Sequence, residues 1–315
     1  MPDDETSMLS GAAAIRRRPG MFVGDVHDRS GLHHLLWELV SNCVDEHLAG
    51  FAHRVIVTLH NDDSVTVEDD GRGIPVEPGE STLPFVEMAL TRIHWTGTFD
   101  GHKKHVHLGP HGVGFIVVNA LASTFVVEIA REGKLHRQSY REGIPTSPLA
   151  IVGDTTTTGT RITYAPDPTI FTATSLDHEL VRERLFEVAC FNPKLLVRFI
   201  DERTDFECPT GILELASRLG RSPDFPLQNA PRLPVAPIYV RGQQDEIGVE
   251  VALHWALWSG NGQVRSFVNQ RETREGGTTS QAYVARVLRS FGTSALVSAP
   301  SLQRVCSVAR FASSV

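Results

Sequence analysis

The chain has 315 residues, enough to bury a substantial core and to form two domains. Its formal net charge of −7 argues against a protein that holds nucleic acid through a broad basic face, and its hydrophobic content of 41% excludes bulk disorder. The four cysteines are far apart, so neither a zinc site nor a disulfide framework is indicated. The acidic start of the chain is unlike a signal peptide, and no apolar run approaches the ~18 residues of a membrane helix. We therefore expect a cytoplasmic protein.

The first element that the sequence predicts is an amphipathic helix that follows a short arm. Residues 1–14 are small and polar, which is typical of a flexible N-terminal arm. From Gly31 to Leu48, apolar residues recur at three- and four-residue spacing, and Gly50 stands where a helix C′ residue is expected. The pattern predicts a helix with one buried stripe.

The polar side of this helix carries the first candidate site. Glu38, Asn42 and either Asp45 or Glu46 fall at spacings that bring them along one side of the helix. An amide oxygen can bind a divalent cation, and an acid one turn away can take a proton from a water molecule. The alternative is a helix whose polar side is merely solvated.

A strand that ends in a glycine-rich corner is the second candidate. Val65 and Val67 alternate with polar neighbours, and the chain then breaks into an acidic corner that contains Asp69, Gly71 and Gly73. Asp69 can accept a hydrogen bond from an exocyclic amine, and the glycines leave the main chain bare against a flat ligand. An adenine base fits this description, although Asp-Gly corners are also ordinary turns.

A third glycine-rich stretch leads into another helix. Gly109, Gly112 and Gly114 precede the apolar segment 115–121, which has helical spacing. Backbone N–H groups at such a helix start can face the phosphates of a nucleotide. The Gly-x4-Gly-Lys-Ser/Thr pattern is absent, so a Walker-type site is excluded.

The remaining pattern predicts two domains joined by a linker. Thr160 precedes a predicted strand at 161–164, where its hydroxyl could reach a ligand or simply reflect β propensity. The proline-rich stretch 222–237 predicts the linker, and the tail that ends at Val315 is weakly patterned. The other predicted elements are helices at 82–93, 175–190 and 280–291 and strands at 54–59, 125–130, 135–140, 195–200, 248–258 and 264–269.

Three of these motifs together resemble the nucleotide motifs of the GHKL ATPases. They are Glu38-x3-Asn42, Asp69-x-Gly71-x-Gly73 and Gly109-x2-Gly112-x-Gly114, in that order. Other stretches are similar to the N-terminal ATPase region of one branch, which comprises DNA gyrase B and its counterpart in topoisomerase IV. These stretches are 17–21, 31–34, 45–50, 69–75, 111–114 with 118–121, and 131–138. The resemblance continues into the adjoining transducer domain at 247–253 and 276–278.

The resemblance implies an α+β fold. Residues 15–220 would form a GHKL, or Bergerat, two-layer α/β sandwich that binds ATP. Residues 221–315 would form part of a ribosomal-S5-like α/β transducer domain. Residues 1–14 would remain the flexible arm.

The resemblance also assigns roles to single residues. Glu38 would be the catalytic general base, Asn42 would be the Mg²⁺ ligand, and Asp69 would bind the adenine amine with support from Thr160. ATP and Mg²⁺ are the implied cofactors. The implied ATP-binding residues are Asn42, Glu46, Asp69, Arg72, Gly73, Ile74, Pro75, Gly109, His111, Gly112, Val113, Gly114, Arg137 and Thr160.

Several positions depart from the family pattern. Ser41 stands where the family usually has Asp, Pro110 removes one backbone N–H from the phosphate cradle, and Thr98 replaces a lysine. The arm lacks the tyrosine that reaches the nucleotide of the partner protomer, and the transducer's Gln-Thr-Lys loop, whose lysine contacts the γ-phosphate, is not found. Hydrolysis is therefore expected to be impaired unless Lys103 or Lys104 supplies the missing cation.

Two functions follow from the resemblance. The first is an ATP-hydrolysing module of a type IIA DNA topoisomerase, without the toprim part that cleaves DNA. This module would form a nucleotide-dependent homodimer, and its dimerisation would close the entry gate for DNA. It would reach DNA through a partner that resembles gyrase A. The alternative is a non-hydrolysing nucleotide-binding paralogue that regulates or protects a true gyrase by pairing with it.

Sensitivity to novobiocin is the first testable prediction, because the positions that bind aminocoumarins in the family are intact. They are Asn42, Asp69, Arg72, Gly73, Pro75, Arg137 and Thr160. A ligand at about a hundred times its Kd stabilises a folded protein by ~3 kcal/mol, so the melting temperature should rise by several degrees. Unchanged melting at saturating novobiocin would contradict the prediction.

Overall fold

The computed structural model describes residues 11–78, 83–93, 113–200, 204–219, 237–244, 247–255, 264–273 and 305–313. The chain divides into two compact units. The first comprises residues 1–186 and 194–207, and the second comprises residues 187–193 and 208–315. Among the helices in these described ranges, none is long and apolar enough to cross a membrane.

The first unit combines helices with a large sheet. Its helices are α1 (Gly11–Arg17), α2 (Gly20–Val23), α3 (Ser30–Leu48), α4 (Phe85–Thr91), α5 (Gly114–Ala120) and most of α6 (His178–Phe191). Its strands are β1 (Arg54–Leu59), β2 (Val65–Asp69), β3 (Ala122–Arg131), β4 (Lys134–Arg141), β5 (Ile144–Pro145), β6 (Ala150–Asp154), β7 (Gly159–Pro166), β8 (Leu196–Phe199) and β9 (Thr204–Phe206).

The strand order of this sheet places distant parts of the chain side by side. Within the described residues the order is β5-β4-β3-β7-β2-β1-β8-β9, and β6 pairs with β4. The pairs are antiparallel except for β1 with β8. Strand β7 lies between β2 and β3, so Thr160 is the register partner of both Asp69 and Ile129.

One face of the sheet forms the core. Val55 and Val57 of β1, Val67 of β2, and Phe125 and Val127 of β3 are buried, in the alternation expected of a strand with one covered face. Helix α3 packs on β1 and β2, while α5 packs on β3 and β4 and contacts α1, α3 and α4. The apolar stripe of α3 supplies much of this core, since six of its branched apolar side chains are at most 1% exposed: Leu32, Leu35, Leu36, Leu39, Val40 and Val44.

The second unit contains a smaller sheet. Its elements are α7 (Ile212–Leu219), β10 (Ile238–Gln244), β11 (Ile247–Trp255), β12 (Val264–Val268), β13 (Arg271–Glu272) and β14 (Val305–Ser313). The strand order is β10-β11-β14-β12-β13, and β14 runs parallel to β12. Phe191 at the end of α6 packs edge-on against Phe267 of β12, with ring centroids 4.7 Å apart.

Two sequence predictions need correction. Residues 11–14, predicted as part of a flexible arm, lie in α1, where Ala12 is buried and the helix packs on α5. The weakly patterned tail contains β14, which pairs with both β11 and β12. Both elements are fixed by contacts far away in the sequence, which local patterns do not reveal.

Other predicted elements are shorter than expected or lie outside the described residues. The helix predicted at 82–93 is α4, which begins after Pro84 because proline favours a helix start. Residues 222–236 of the linker predicted at 222–237, the helix predicted at 280–291 and the predicted domain boundary at 220 lie outside the described residues, so they remain predictions.

Leu36→Ala should destabilise the first unit by about 2–5 kcal/mol, because Leu36 is fully buried on α3 and its removal leaves a cavity. Leu48→Ala is the matched control, since Leu48 is on the same helix but 37% exposed, and should cost less than about 1 kcal/mol. Urea unfolding followed by circular dichroism measures both. Equal losses would mean that α3 is not the core helix.

Candidate functional site

A cleft of about 630 Å³, counted with its open mouth, lies between α3 and the sheet of the first unit. It is lined by Leu39, Asn42, Cys43, Asp45, Glu46, Val67, Asp69, Gly73, Ile74, Phe85, Phe115, Thr160 and Ile162. Five of these residues come from the middle of α3. The cleft therefore joins the polar side of the predicted helix to the glycine-rich corner that follows β2.

Glu38 lies one turn before Asn42 on α3 and is held by a histidine. His34 Nε2 is 3.0 Å from Glu38 Oε1, and the two residues are four apart on the helix. At the start of α5, a Cβ on Gly114 would overlap Glu38 Oε2. Glycine at this position therefore allows the start of α5 to lie directly against the carboxylate.

The middle of α3 carries two polar atoms that lack partners. Within the described residues, Asn42 Nδ2 and Asp45 Oδ1 are buried and make no hydrogen bond. Both residues line the cleft. An unsatisfied buried polar group costs free energy, so a ligand that entered the cleft and paired with these two atoms would recover that cost. A ligand rich in phosphate oxygens, together with a divalent cation, fits this pair.

Two acidic side chains of the cleft, Asp45 and Asp69, hold their protons more tightly than usual. Burial raises the pKa of Asp45 to about 8, and the nearby charges of Glu46 and Glu38 add to the rise. Burial also raises the pKa of Asp69 to about 7; the Gly71 N–H opposes this rise and Glu46 adds to it. The cleft therefore favours ligands that bring positive charge or hydrogen-bond donors.

The corner after β2 fixes the Asp69 carboxylate. The backbone N–H of Gly71 donates to Asp69 Oδ1 at 2.8 Å, and the thiol of Cys43 lies 3.5 Å from Oδ2. A Cβ on Gly71 would lie 2.8 Å from Asp69 Oδ1 and 2.9 Å from Glu46 Oε2. A side chain at this position would displace one of these two carboxylates.

The rest of the corner is tied to its neighbours by hydrogen bonds. Gly73 has φ +76°, and a Cβ there would lie 2.8 Å from the Ala130 carbonyl oxygen. The Ile74 N–H donates to Thr160 Oγ1 at 3.2 Å, and Arg131 Nη1 donates to the Gly73 carbonyl at 3.1 Å. The main chain of the corner is thus held firmly at the floor of the cleft.

Arg72 extends from the corner towards α3. Its Nη2 donates to Glu46 Oε1 at 2.8 Å, and its Nε and backbone N–H both reach Glu46 Oε2 at 3.2 Å. The guanidinium also stacks on the Phe51 ring, 3.8 Å from the centroid. Glu46 is therefore neutralised by a bidentate partner, unlike Asp45 and Asp69.

The structure brings together most of the residues that the sequence singled out. Asn42, Glu46, Asp69, Gly73, Ile74 and Thr160 line the cleft, and Glu38, Arg72, Pro75, Val113 and Gly114 belong to the segments that border it. Gly109, His111 and Gly112 lie outside the described residues. The sequence left open whether Asp45 or Glu46 shares the polar side of α3 with Glu38 and Asn42. In the structure, both residues line the cleft.

Arg137 is not brought to the cleft. It lies opposite Glu128 in the β3–β4 pair, with Nη1 3.8 Å from Glu128 Oε1. The neighbours of Glu128 on β3, Val127 and Ile129, are fully buried on the core face, so Glu128 lies on the other face. Resemblance identifies a position in the sequence but does not determine which face of a strand it occupies.

Three residues near the site were not predicted to act there. His34 was not singled out, because a histidine one turn from an acid is a weak signal by itself. Phe115 and Cys43 were interpreted only as apolar helix residues.

Ser41, which departs from the family pattern next to Asn42, is buried. Its hydroxyl donates to the Trp37 carbonyl within the helix, so it needs no partner in the cleft.

Family comparisons agree with this geometry. The profile of histidine kinase-, DNA gyrase B- and HSP90-like ATPases matches residues 27–169, and the DNA gyrase B profile matches residues 225–297. The crystal structure of the 43K ATPase domain of Thermus thermophilus gyrase B, in complex with an aminocoumarin, matches with a TM-score of 0.77 and 32% identity. That match covers 96% of this chain and 81% of the other. The chain belongs to the DNA gyrase B family.

Longer members of the gyrase B family are also similar. DNA gyrase B of Streptococcus pneumoniae serotype 4 is 40% identical over 287 residues, and the type 2 topoisomerase B protein of Aquifex aeolicus is 39% identical over 275 residues. The matches cover 90% and 86% of this chain, and 44% and 34% of those relatives. The chain thus spans less than half the length of these gyrase B relatives. The predicted GHKL fold and family are confirmed.

Asp45→Asn should stabilise the protein at alkaline pH. Because the folded pKa of about 8 exceeds the ordinary 3.8, stability is lost as the pH rises between these values, and the amide avoids that loss. In urea unfolding with a chelator present, the gain should be on the order of 5 kcal/mol at about pH 8.5 and fall below about 1 kcal/mol near pH 4.

The control for this prediction is Asp62→Asn. Hydrogen bonds from Ser64 lower the pKa of the exposed Asp62 carboxyl, so this variant should gain no stability at any pH. A pH-independent difference between Asp45→Asn and the unaltered protein would contradict the prediction.

Proposed function

We propose that the cleft of the first unit binds Mg-ATP and that the chain hydrolyses it. The observation that carries this proposal is the arrangement of polar groups along α3. Glu38 is held by His34 against the start of α5. Asn42 follows one turn later and Asp45 about two turns later, and Asn42 Nδ2 and Asp45 Oδ1 lack a hydrogen-bond partner among the described residues. Asp69, at the end of β2, contacts α3 through Cys43. This order corresponds to the phosphates, the cation and the base of a nucleotide.

The base would lie over the corner that follows β2. Asp69 would accept a hydrogen bond from the exocyclic amine of adenine. Thr160, whose Oγ1 accepts from the Ile74 N–H, would hold the main chain of the corner beneath the ring. Gly73 contributes bare backbone against the base. The apolar side chains of Val67 and Ile162 complete the walls.

The phosphate end would lie towards α5. Val113 and Gly114 offer backbone donors, and Gly109, His111 and Gly112 are proposed to close over the phosphates. Glu38 orients the attacking water and takes its proton, while His34 fixes the orientation of the carboxylate. Asn42 would hold a magnesium ion, and the chemistry that the ion would supply there is neutralisation of phosphate charge.

At the level of the family, we propose that the chain works as the ATP-operated part of a type IIA DNA topoisomerase in the cytoplasm. ATP binding would join two copies into a dimer, and a gyrase A-like partner would bring DNA. The relatives that support this proposal are named as the B components of DNA gyrase and of a type 2 topoisomerase. Strand passage would require those partners.

The non-hydrolysing alternative gains no support from the site. Its sequence arguments were Pro110, the short N-terminal arm and the Gln-Thr-Lys lysine that was not found, which would slow hydrolysis without preventing nucleotide binding. The described residues include the intact pair of His34 and Glu38, which is needed for water activation rather than for binding. Slow hydrolysis is therefore proposed rather than none.

Glu38→Gln should lower kcat for ATP hydrolysis by about 10²–10⁴-fold and leave nucleotide affinity within about threefold, because the amide keeps the shape but cannot accept the proton. Steady-state phosphate release and isothermal titration calorimetry measure the two quantities. His60→Ala is the control, since His60 bonds to Thr66 away from the cleft and should leave both unchanged.

The outcome of this test separates the two functions. Equal turnover by the unaltered chain and Glu38→Gln would contradict the role of Glu38. Tight ATP binding without turnover in the unaltered chain would favour the non-hydrolysing alternative.

A further inference from the structure

Cys43 is a cleft residue whose role the proposed function leaves open. It is 4% exposed, and it lies on α3 directly after Asn42 and one turn before Glu46. Its Sγ is 3.5 Å from Asp69 Oδ2, a distance at which a thiol S–H donates a hydrogen bond to a carboxylate. The same side chain lines the cleft next to Asp69 and Thr160.

The two oxygens of Asp69 have donors from two different elements. Gly71 N–H of the corner reaches Oδ1 at 2.8 Å, and the thiol of α3 reaches Oδ2. A carboxylate that is held at both oxygens cannot rotate freely about its Cβ–Cγ bond. Each oxygen has two lone-pair sites, so Oδ2 retains one that an incoming donor can use.

We propose that Cys43 is a positioning residue, whose S–H sets the orientation of the Asp69 carboxylate for the exocyclic amine of adenine. This inference rests on the proposed function, because the amine belongs to the nucleotide. Cys43 acts through Asp69. The sulfur also fixes the distance between α3 and the corner, since a larger side chain would push Asp69 out of the cleft floor.

The charged surroundings of Asp69 give this role a measurable signature. On α3, the Glu46 carboxylate opposes ionisation of Asp69, and the corner contributes Arg72, which is paired with Glu46. The facing positions on β7 and β1 are Thr160 and Val55, which carry no charge. The S–H therefore acts with the Gly71 N–H to favour the ionised carboxylate against Glu46.

The test compares Cys43→Ala, which removes the donor, with Cys43→Ser, which keeps one of similar size. The first readout is the ¹³C carboxyl titration of Asp69 in the ligand-free protein, assigned with Asp69→Asn. The alanine variant should raise the midpoint by about half a pH unit, as expected for a weak donor, and the serine variant should restore it.

The second readout is the affinity for Mg-ADP as a function of pH. The ionised carboxylate accepts the hydrogen bond of the amine more strongly than the protonated carboxyl group does. Cys43→Ala should therefore lose more affinity at about pH 5.5, on the order of threefold, than at about pH 8.5. Thermal unfolding of each variant checks that it is folded.

The outcomes discriminate between positioning and simple packing. An equal midpoint in all three proteins, or a loss of affinity that is the same at every pH, would overturn the role of Cys43. If the unaltered chain did not bind Mg-ADP while the midpoint still shifted in Cys43→Ala, the proposed function would be overturned, and the coupling of Cys43 to Asp69 would stand.

Discussion

The packing of α3 along β1 and β2 is the constraint on which the cleft depends. The buried stripe of the helix fixes its rotation, so that its polar side faces the corner after β2 and the start of α5. Glu38 and Glu46 are eight residues apart, which corresponds to ~12 Å along a helix axis. A single rigid element thus positions the hydrolytic end and the base end of the proposed site relative to each other.

The electrostatics of the cleft show what this arrangement costs. Three carboxyl groups lie close together, and Arg72 pairs with Glu46, while burial raises the pKa of both Asp45 and Asp69. A carboxyl group whose pKa is higher in the folded than in the unfolded protein destabilises the folded state at neutral and alkaline pH. Functional sites commonly retain such strain, and a ligand that brings donors and a cation relieves it.

Much of the fold could be predicted from local pattern. The strand at Arg54–Leu59 has the predicted bounds, and α3 differs from its prediction by one residue at its start. Both have a clear periodicity and clear stop signals. Strand β14 was missed because its two neighbours, β11 and β12, lie far away in the sequence. Its hydrogen-bonded pairing with these strands defines it, rather than the pattern of its own residues.

The sequence by itself determined the family, the glycine-rich motifs and the identity of most cleft residues, because backbone geometry and nucleotide chemistry restrict which residues can occupy those positions. The tertiary structure alone decided which side chains meet. It placed Arg137 on the opposite sheet face with Glu128, brought both Asp45 and Glu46 to the cleft, and set Cys43 against Asp69. Such contacts depend on strand register and helix rotation, which follow from the packing of the whole core.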